Sequence, residues 1–173
     1  MIRFIGLTGK MASGKDTVFR IAAGISRRQI WRRAFGDSVK NEVAQACEVT
    51  IDRINKSKGL YRPILQWWGT EFRRGLRGED YWIRKMRTEL EGLKDREKDG
   101  LVIVTDVRFP NEADLVKSLG GRVVRVVRTG DAGLTAEHIS ETAMDGYPCD
   151  SSILNNGNLS DLEDKVKDLI NAN

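Results

Sequence analysis

The segment Gly9-Lys10-Met11-Ala12-Ser13-Gly14-Lys15-Asp16-Thr17 carries the residue types that can hold a polyphosphate. Two glycines let the backbone curl so that successive N–H groups face inward, and a helix starting where the curl ends adds the positive pole of its dipole. Lys15 then supplies a point charge for the outer phosphates. The residue after such a lysine is ordinarily Ser or Thr, whose hydroxyl reaches Mg²⁺. Here it is Asp16, with Thr17 one place late. A carboxylate is also a hard oxygen ligand, so one expectation is that Asp16 holds Mg²⁺ directly or through water. The other is that it only places negative charge in the first turn of a helix. Thr17 is expected on the α-phosphate side. A ligand-free glycine turn would account for the glycines but not for a lysine at this spacing.

A second group lies in "TDVRFPNEAD" (105–114). Asp106 falls at the C-terminal end of an apolar run, where open α/β sheets place their ligands, and its carboxylate could orient the water shell of Mg²⁺. Arg108, two residues on, would point the same way if the strand continued. The simpler alternative is an Asp106–Arg108 surface pair. Asn111 is a candidate helix cap. Arg73, Arg74 and Arg128 add fixed positive charges suited to holding an acceptor phosphate and neutralising charge in a phosphoryl transfer. His138 is the single histidine, which excludes a His-rich metal site. It is expected as a contact or surface residue, because a phosphate-monoester acceptor is already anionic at pH 7 and needs no base.

These residues need a frame. "IRFIGL" (2–7) reads as a buried strand, and "KDTVFRIAAGIS" (15–26) as a helix with apolar residues at helical spacing. A short strand is expected over 32–37, then a helix over 38–49 with Ser38 as its cap. The stretch 54–63 reads as a loop, and a helix over 63–76 would have Pro63 at its first position. Helix 80–95, strand 100–109, helix 111–120 and strand 121–129 follow. The stretch 130–150 is polar and weakly periodic, a loop or mobile lid. A last strand over 151–156 and a helix over 159–172 close the chain. Strands alternating with helices predict a mostly parallel central sheet flanked by helices on both faces, a three-layer α/β fold in a single domain over 1–173.

Composition bounds the partners. The chain has 173 residues, 40% hydrophobic and 31% charged, as expected of a globular domain with a real core. No apolar run approaches a membrane span, and the N-terminus has no leader pattern. Two cysteines form no disulfide framework and suit a cytoplasmic setting. Net charge is +4, with 29 basic and 25 acidic residues interspersed, so the basic clusters 26–33 and 71–78 suit a small phosphorylated ligand as well as a polynucleotide. A nucleotide-dependent nucleic-acid-binding protein remains the alternative from a different class.

Taken in order, "GKMASGKDTV" (9–18), "AFGDSVK" (34–40), "LQWWGTEFRRGLRGEDYWI" (65–83), "VTDVRFPNEAD" (104–114), "HISE" (138–141) and "SSILNNGNLSDLEDKV" (151–166) resemble the phage-type deoxynucleoside monophosphate kinases of the P-loop kinase superfamily. In that family the loop carries Gly-Lys-Asp-Thr, so Asp16 agrees with it. The resemblance implies the P-loop kinase fold and phosphoryl transfer from ATP to a deoxynucleoside monophosphate (dNMP), with Mg²⁺. By position it implies that the 9–17 loop holds ATP phosphates through Gly9, Lys10, Ala12, Ser13, Gly14, Lys15, Asp16 and Thr17, with Asn155 near the adenine. It puts Phe35, Asp37, Lys40, Trp68, Arg73, Arg74, Asp106, Arg108 and Glu141 on the acceptor side. Lys15, Arg73, Arg108 and Arg128 become the catalytic cations, Asp16 and Asp106 the metal carboxylates, and 130–147 the lid. Small-molecule substrates are implied, with no nucleic acid or membrane partner, in the host cytoplasm if the chain is of phage origin. A homodimer is implied by the resemblance alone. Another small-molecule kinase with the same loop, of the phosphomevalonate or dephospho-coenzyme A type, is the near alternative. Trp67 and Trp68 would either stack on a base or fill core, the latter being the simpler expectation.

Overall fold

A computed structural model describes residues 1–128 and 138–172. The chain forms two compact units, Met1–Arg33 with Leu93–Asn173, and Ala34–Gly92.

The first unit is built on five parallel strands: β1 (Ile2–Thr8), β2 (Ile30–Arg33), β3 (Gly100–Val104), β4 (Arg122–Val127) and β5 (Ser151–Leu154), in the order β2-β3-β1-β4-β5. Parallel strands need crossovers, and helices supply them: α1 (Lys15–Ile25) follows β1 and α7 (Pro110–Ser118) follows β3, while α9 (Leu159–Asn171) closes the chain. Strands covered on both faces read as unbroken apolar runs, and all five residues of β3 are buried. Edge strand β2 is half-buried throughout, which is why it tolerates Arg32 and Arg33 and ends before Ala34.

The two faces of β1 separate the helix layers. Ile5 and Leu7 pack with Val18 and Ala22 of α1 and Leu162 and Val166 of α9. Gly6, pointing the other way, meets α7: a Cβ there would stand 3.0 Å from Val107 Cγ2 and 3.2 Å from Val116 Cγ2. The unit is therefore helix, sheet, helix. Since α1 and α7 leave on opposite faces, the C-terminal ends of β1, β3 and β4 border the crevice where such sheets hold ligands.

The β3–α7 corner differs from the sequence reading. The strand ends at Val104 and Asp106 lies in a turn, so strand alternation does not set the direction of Arg108. Asn111 lies inside α7, whose cap position is Phe109. The carboxylate of Glu112, 3% exposed, does the capping instead, accepting the N–H of Arg108 at 2.7 Å and of Phe109 at 3.2 Å.

The second unit is helical: α2 (Phe35–Ala46), α3 (Ile51–Lys56), α4 (Lys58–Trp67), a π turn (Trp68–Phe72), α5 (Arg73–Arg77) and α6 (Tyr81–Arg96), whose residues up to Gly92 belong to it. Helix α2 starts at Phe35, so Ser38 lies inside it and is not its cap. The expected loop 54–63 is largely helix, begun by Thr50, which accepts the Arg53 N–H at 3.2 Å. Pro63 lies within α4, not at its start. A proline there removes one helical hydrogen bond, the one an N–H at position 63 would make to the Gly59 carbonyl. The remaining helix, α8 (Ile139–Thr142), belongs to the first unit.

Removing the Glu112 carboxylate takes an acceptor from two backbone N–H groups. Glu112→Ala is expected to lower unfolding free energy by about 2 kcal/mol, with Glu112→Gln losing less, as read by urea denaturation. Equal stability of Glu112→Ala and the parent would contradict this role.

Candidate active site

The loop from β1 to α1 is shaped by backbone conformations that L side chains rarely adopt. Gly9, Ala12 and Gly14 have φ of 142°, 61° and 105°. A Cβ on Gly9 would run into the Val126 carbonyl of β4, and one on Gly14 into the Asn155 amide. Asn155 locks the curl: its side chain donates to the Ser13 carbonyl at 2.9 Å and its backbone N–H to Val127 at 2.7 Å. Ser13 is buried.

Lys15 folds back over this loop. Its Nζ donates to the Gly9 and Lys10 carbonyls, both at 2.7 Å, and to Ser13 Oγ at 3.4 Å. Burial first, and the neighbouring charge of Arg108 second, bring the amine down to about 8, against the opposing pull of Glu141, Asp16 and Asp106. Charges from three distant stretches of sequence thus act on one amine.

Two further cations are held by carboxylates. Lys10 Nζ pairs with Asp145 at 2.6 and 2.7 Å and donates to the Glu141 carbonyl at 3.0 Å. Arg108 donates to Glu141 Oε1 at 2.5 Å and to the Ser140 carbonyl at 3.4 Å. Between them lies an open pocket of about 200 Å³ whose lining includes Gly9, Lys10, Ser13, Arg108, Arg125, Arg128, Glu141 and Asp145. Four cations against two carboxylates in that lining favour an anionic ligand. Arg128 is exposed at the rim, next to residues 129–137. The part of the expected lid over 130–137 lies outside the described residues. The part over 138–147 is the segment carrying α8, Glu141 and Asp145. His138 begins that helix, its Nδ1 accepting the Ser140 N–H at 3.2 Å and standing 2.7 Å from Ser140 Oγ, in keeping with a contact role.

The donor set suits Mg²⁺ bound together with a polyphosphate. Asp16 is exposed at the start of α1 and Asp106 half-buried in the turn after β3, both near enough to act on Lys15. No cluster of three metal-ligating side chains occurs among the described residues. Mg²⁺ needs none, since it uses one or two carboxylates with waters and phosphate oxygens.

The second unit holds the other predicted residues. Phe35 is buried in α2, and Asp37 pairs with Lys40 at 3.5 Å. Arg74, 9% exposed, donates to the Glu79 carbonyl at 3.3 Å. Arg73 and Trp68 converge on Glu42, which also binds Tyr81 Oη at 2.6 Å and Lys85; Trp68 Nε1 donates at 2.9 Å. Burial would raise the Glu42 carboxyl, but the hydrogen bonds from Lys85, Trp68, Tyr81 and Arg73 outweigh it and hold it at about 2. Neither tryptophan is core. Trp67 is 48% exposed and stacks on Phe72 at 5.0 Å, and Trp68 is half-buried with its indole on Glu42.

Residues 29–166 match the family described as deoxynucleotide monophosphate kinase. The chain belongs to this family. Its similarity to the deoxynucleotide monophosphate kinase of Escherichia phage RB69 is 27% identity over 126 residues, 73% of this chain and 50% of that protein, so the match spans about half the length of that curated relative. Among solved structures, shikimate kinase from Aquifex aeolicus is similar at 15% identity and a TM-score of 0.50, covering 97% of this chain and 96% of that one. TT1252 from Thermus thermophilus is similar at 18% identity and a TM-score of 0.54, with the same coverage. These structures share the P-loop kinase fold.

Sequence reasoning missed Glu42, Tyr81, Lys85, Arg125 and Asp145. Arg125 donates to the Met144 and Tyr147 carbonyls at 2.7 and 3.0 Å, holding the 144–147 turn. Each of these residues has its role through contacts distant in sequence, and no local spacing marks them.

Phosphate oxygens favour protonated Lys15, so binding raises its pKa and affinity is greatest below about 8. Calorimetric titration with ATP at fixed Mg²⁺ is expected to show affinity falling about tenfold from pH 7.5 to 9.2. Lys15→Met should bind weakly with no such slope. A flat profile in the parent protein would remove Lys15 from the phosphate site.

Proposed function

We propose that this chain transfers the γ-phosphoryl group of ATP to a dNMP, giving ADP and a deoxynucleoside diphosphate. The observation that carries the reading is the family match over residues 29–166, which takes in the whole Ala34–Gly92 unit and the Asp106–Arg108 corner. The phosphate loop at 9–17 lies outside that match and supports the reading independently, through its left-handed backbone and the half-buried Lys15 folded over it.

The transfer is direct and in line. The acceptor oxygen is already ionised, so no side chain has to remove a proton. The enzyme's work is positioning and charge stabilisation. Inward N–H groups of the loop and the start of α1 hold the triphosphate, and Lys15 moves from its own loop carbonyls to the outer phosphates. Lys10 and Arg108 exchange Asp145 and Glu141 for phosphate oxygens, while Arg128 guards the rim. Mg²⁺ bound with the triphosphate supplies charge neutralisation at its oxygens, and Asp16 and Asp106 are the carboxylates that would hold it or its waters. Arg73, Arg74, Trp68, Phe35, Asp37 and Lys40 belong to the acceptor side. Residues 138–147, the described part of the expected lid, would help keep water out, since otherwise hydrolysis competes.

A coupled ADP-release assay with dAMP, dCMP, dGMP and dTMP tests this. At least one acceptor should raise ADP release well above the acceptor-free rate. Lys15→Ala should abolish the increase by about a thousandfold with an unchanged circular dichroism spectrum. Vigorous acceptor-independent hydrolysis with no stimulation by any dNMP, or near-parental turnover in Lys15→Ala, would overturn the reading.

A further inference from the structure

The Ala34–Gly92 unit contains a constellation that the mechanism above does not use. Glu42, its side chain 11% exposed, is the common acceptor for Trp68, Arg73, Tyr81 and Lys85. The arginine it holds is boxed on several sides. Arg73 Cζ lies 5.3 Å from the Trp68 ring centre, 5.2 Å from Phe72 and 5.4 Å from Tyr81. Such cation–π contacts fix the plane of a guanidinium as well as stabilising its charge.

The backbone contributes to this box. The Arg73 N–H donates to the Trp68 carbonyl, five residues back, closing the π turn. A π turn takes an extra residue per revolution and recurs at functional sites. Here it brings Trp68, Phe72 and Arg73 together, and the Gly69 carbonyl inside it is held by Trp82 Nε1 at 2.7 Å. Glu42 binds Arg73 through Nε. The two terminal amino groups make no hydrogen bond to a described residue. They are the fork that matches phosphate oxygens.

We infer that Glu42 is the positioning residue for Arg73: its carboxylate and the surrounding rings hold the guanidinium in one orientation, with its terminal fork kept for the phosphate of the dNMP. The inference rests on the dNMP kinase reading and deepens it, because it names how the acceptor phosphate is recognised. Lys85 shares the same carboxylate, so Arg73 and Lys85 against Glu42 leave one surplus positive charge in the cluster.

That charge balance gives the test an unambiguous sign. Glu42→Gln keeps the side-chain shape and makes the cluster more positive. If the cluster acted only as a charge, the variant would bind a dNMP more tightly. If Glu42 aims Arg73, the variant binds it more weakly. Steady-state kinetics with the best of the four dNMPs is expected to show the acceptor KM raised about tenfold or more, with the ATP KM within twofold of the parent. Equilibrium dialysis should show weaker binding of the dNMP and unchanged binding of its nucleoside, which lacks the phosphate. Should Glu42→Gln fail to fold, Glu42→Asp, which keeps the charge and withdraws it by one methylene, should show the same selective rise in acceptor KM. An unchanged or lowered acceptor KM in a folded variant, with the parent active, overturns the role of Glu42 alone. A parent that neither binds nor phosphorylates any dNMP overturns the functional reading and this inference with it.

Discussion

The β1–α1 loop is the constraint on which the first unit's chemistry depends. Its curl requires left-handed backbone at Gly9, Ala12 and Gly14, a conformation that costs a non-glycine residue on the order of 1 kcal/mol. The curl persists because its surroundings determine it. The Val126 carbonyl closes against Gly9, and Asn155 against Gly14 and Ser13. Val126 lies in β4, which pairs with β1, and Asn155 just beyond β5, which pairs with β4, so both are brought to the loop by the parallel order β2-β3-β1-β4-β5. The loop is therefore a product of the sheet, and Lys15 is a product of the loop.

Charge is the second organising quantity. Three of the cations near the pocket have internal oxygen partners: backbone carbonyls for Lys15, Asp145 for Lys10, Glu141 for Arg108. A buried or half-buried charge must be paired or hydrogen-bonded to be tolerated. These partners let the folded chain hold several cations together before an anion arrives. The Glu42 cluster follows the same logic in the second unit, where one carboxylate satisfies an arginine and a lysine at once.

Much of this was legible in the sequence, for physical reasons particular to each element. Two glycines and a lysine at fixed spacing mark the loop, because few other residue types allow that backbone. β3 was legible because a strand buried on both faces cannot alternate. Helices α3 and α4 were not: α4 buries no residue fully and contains Gly59 and Pro63, so neither periodicity nor propensity marks it. The direction of Arg108 was not legible, because strand alternation stops at Val104 and Glu112 pins the following turn. Glu42 was missed because its partners lie 26, 31, 39 and 43 residues away, and no local pattern encodes such a meeting. The double tryptophan was read as a choice between base stacking and core. The structure overturns the core alternative: Trp67 is exposed and stacked on Phe72, and the Trp68 indole donates to Glu42.

The fate of the γ-phosphoryl group tests the central claim most directly. ATP labelled at that position is incubated with the protein, Mg²⁺ and each of the four common dNMPs, and the products are separated by thin-layer chromatography. The label is expected in a deoxynucleoside diphosphate in the presence of an acceptor, with little inorganic phosphate in its absence. Label recovered only as inorganic phosphate, or remaining in ATP with every acceptor, would contradict a kinase that acts on deoxynucleoside monophosphates.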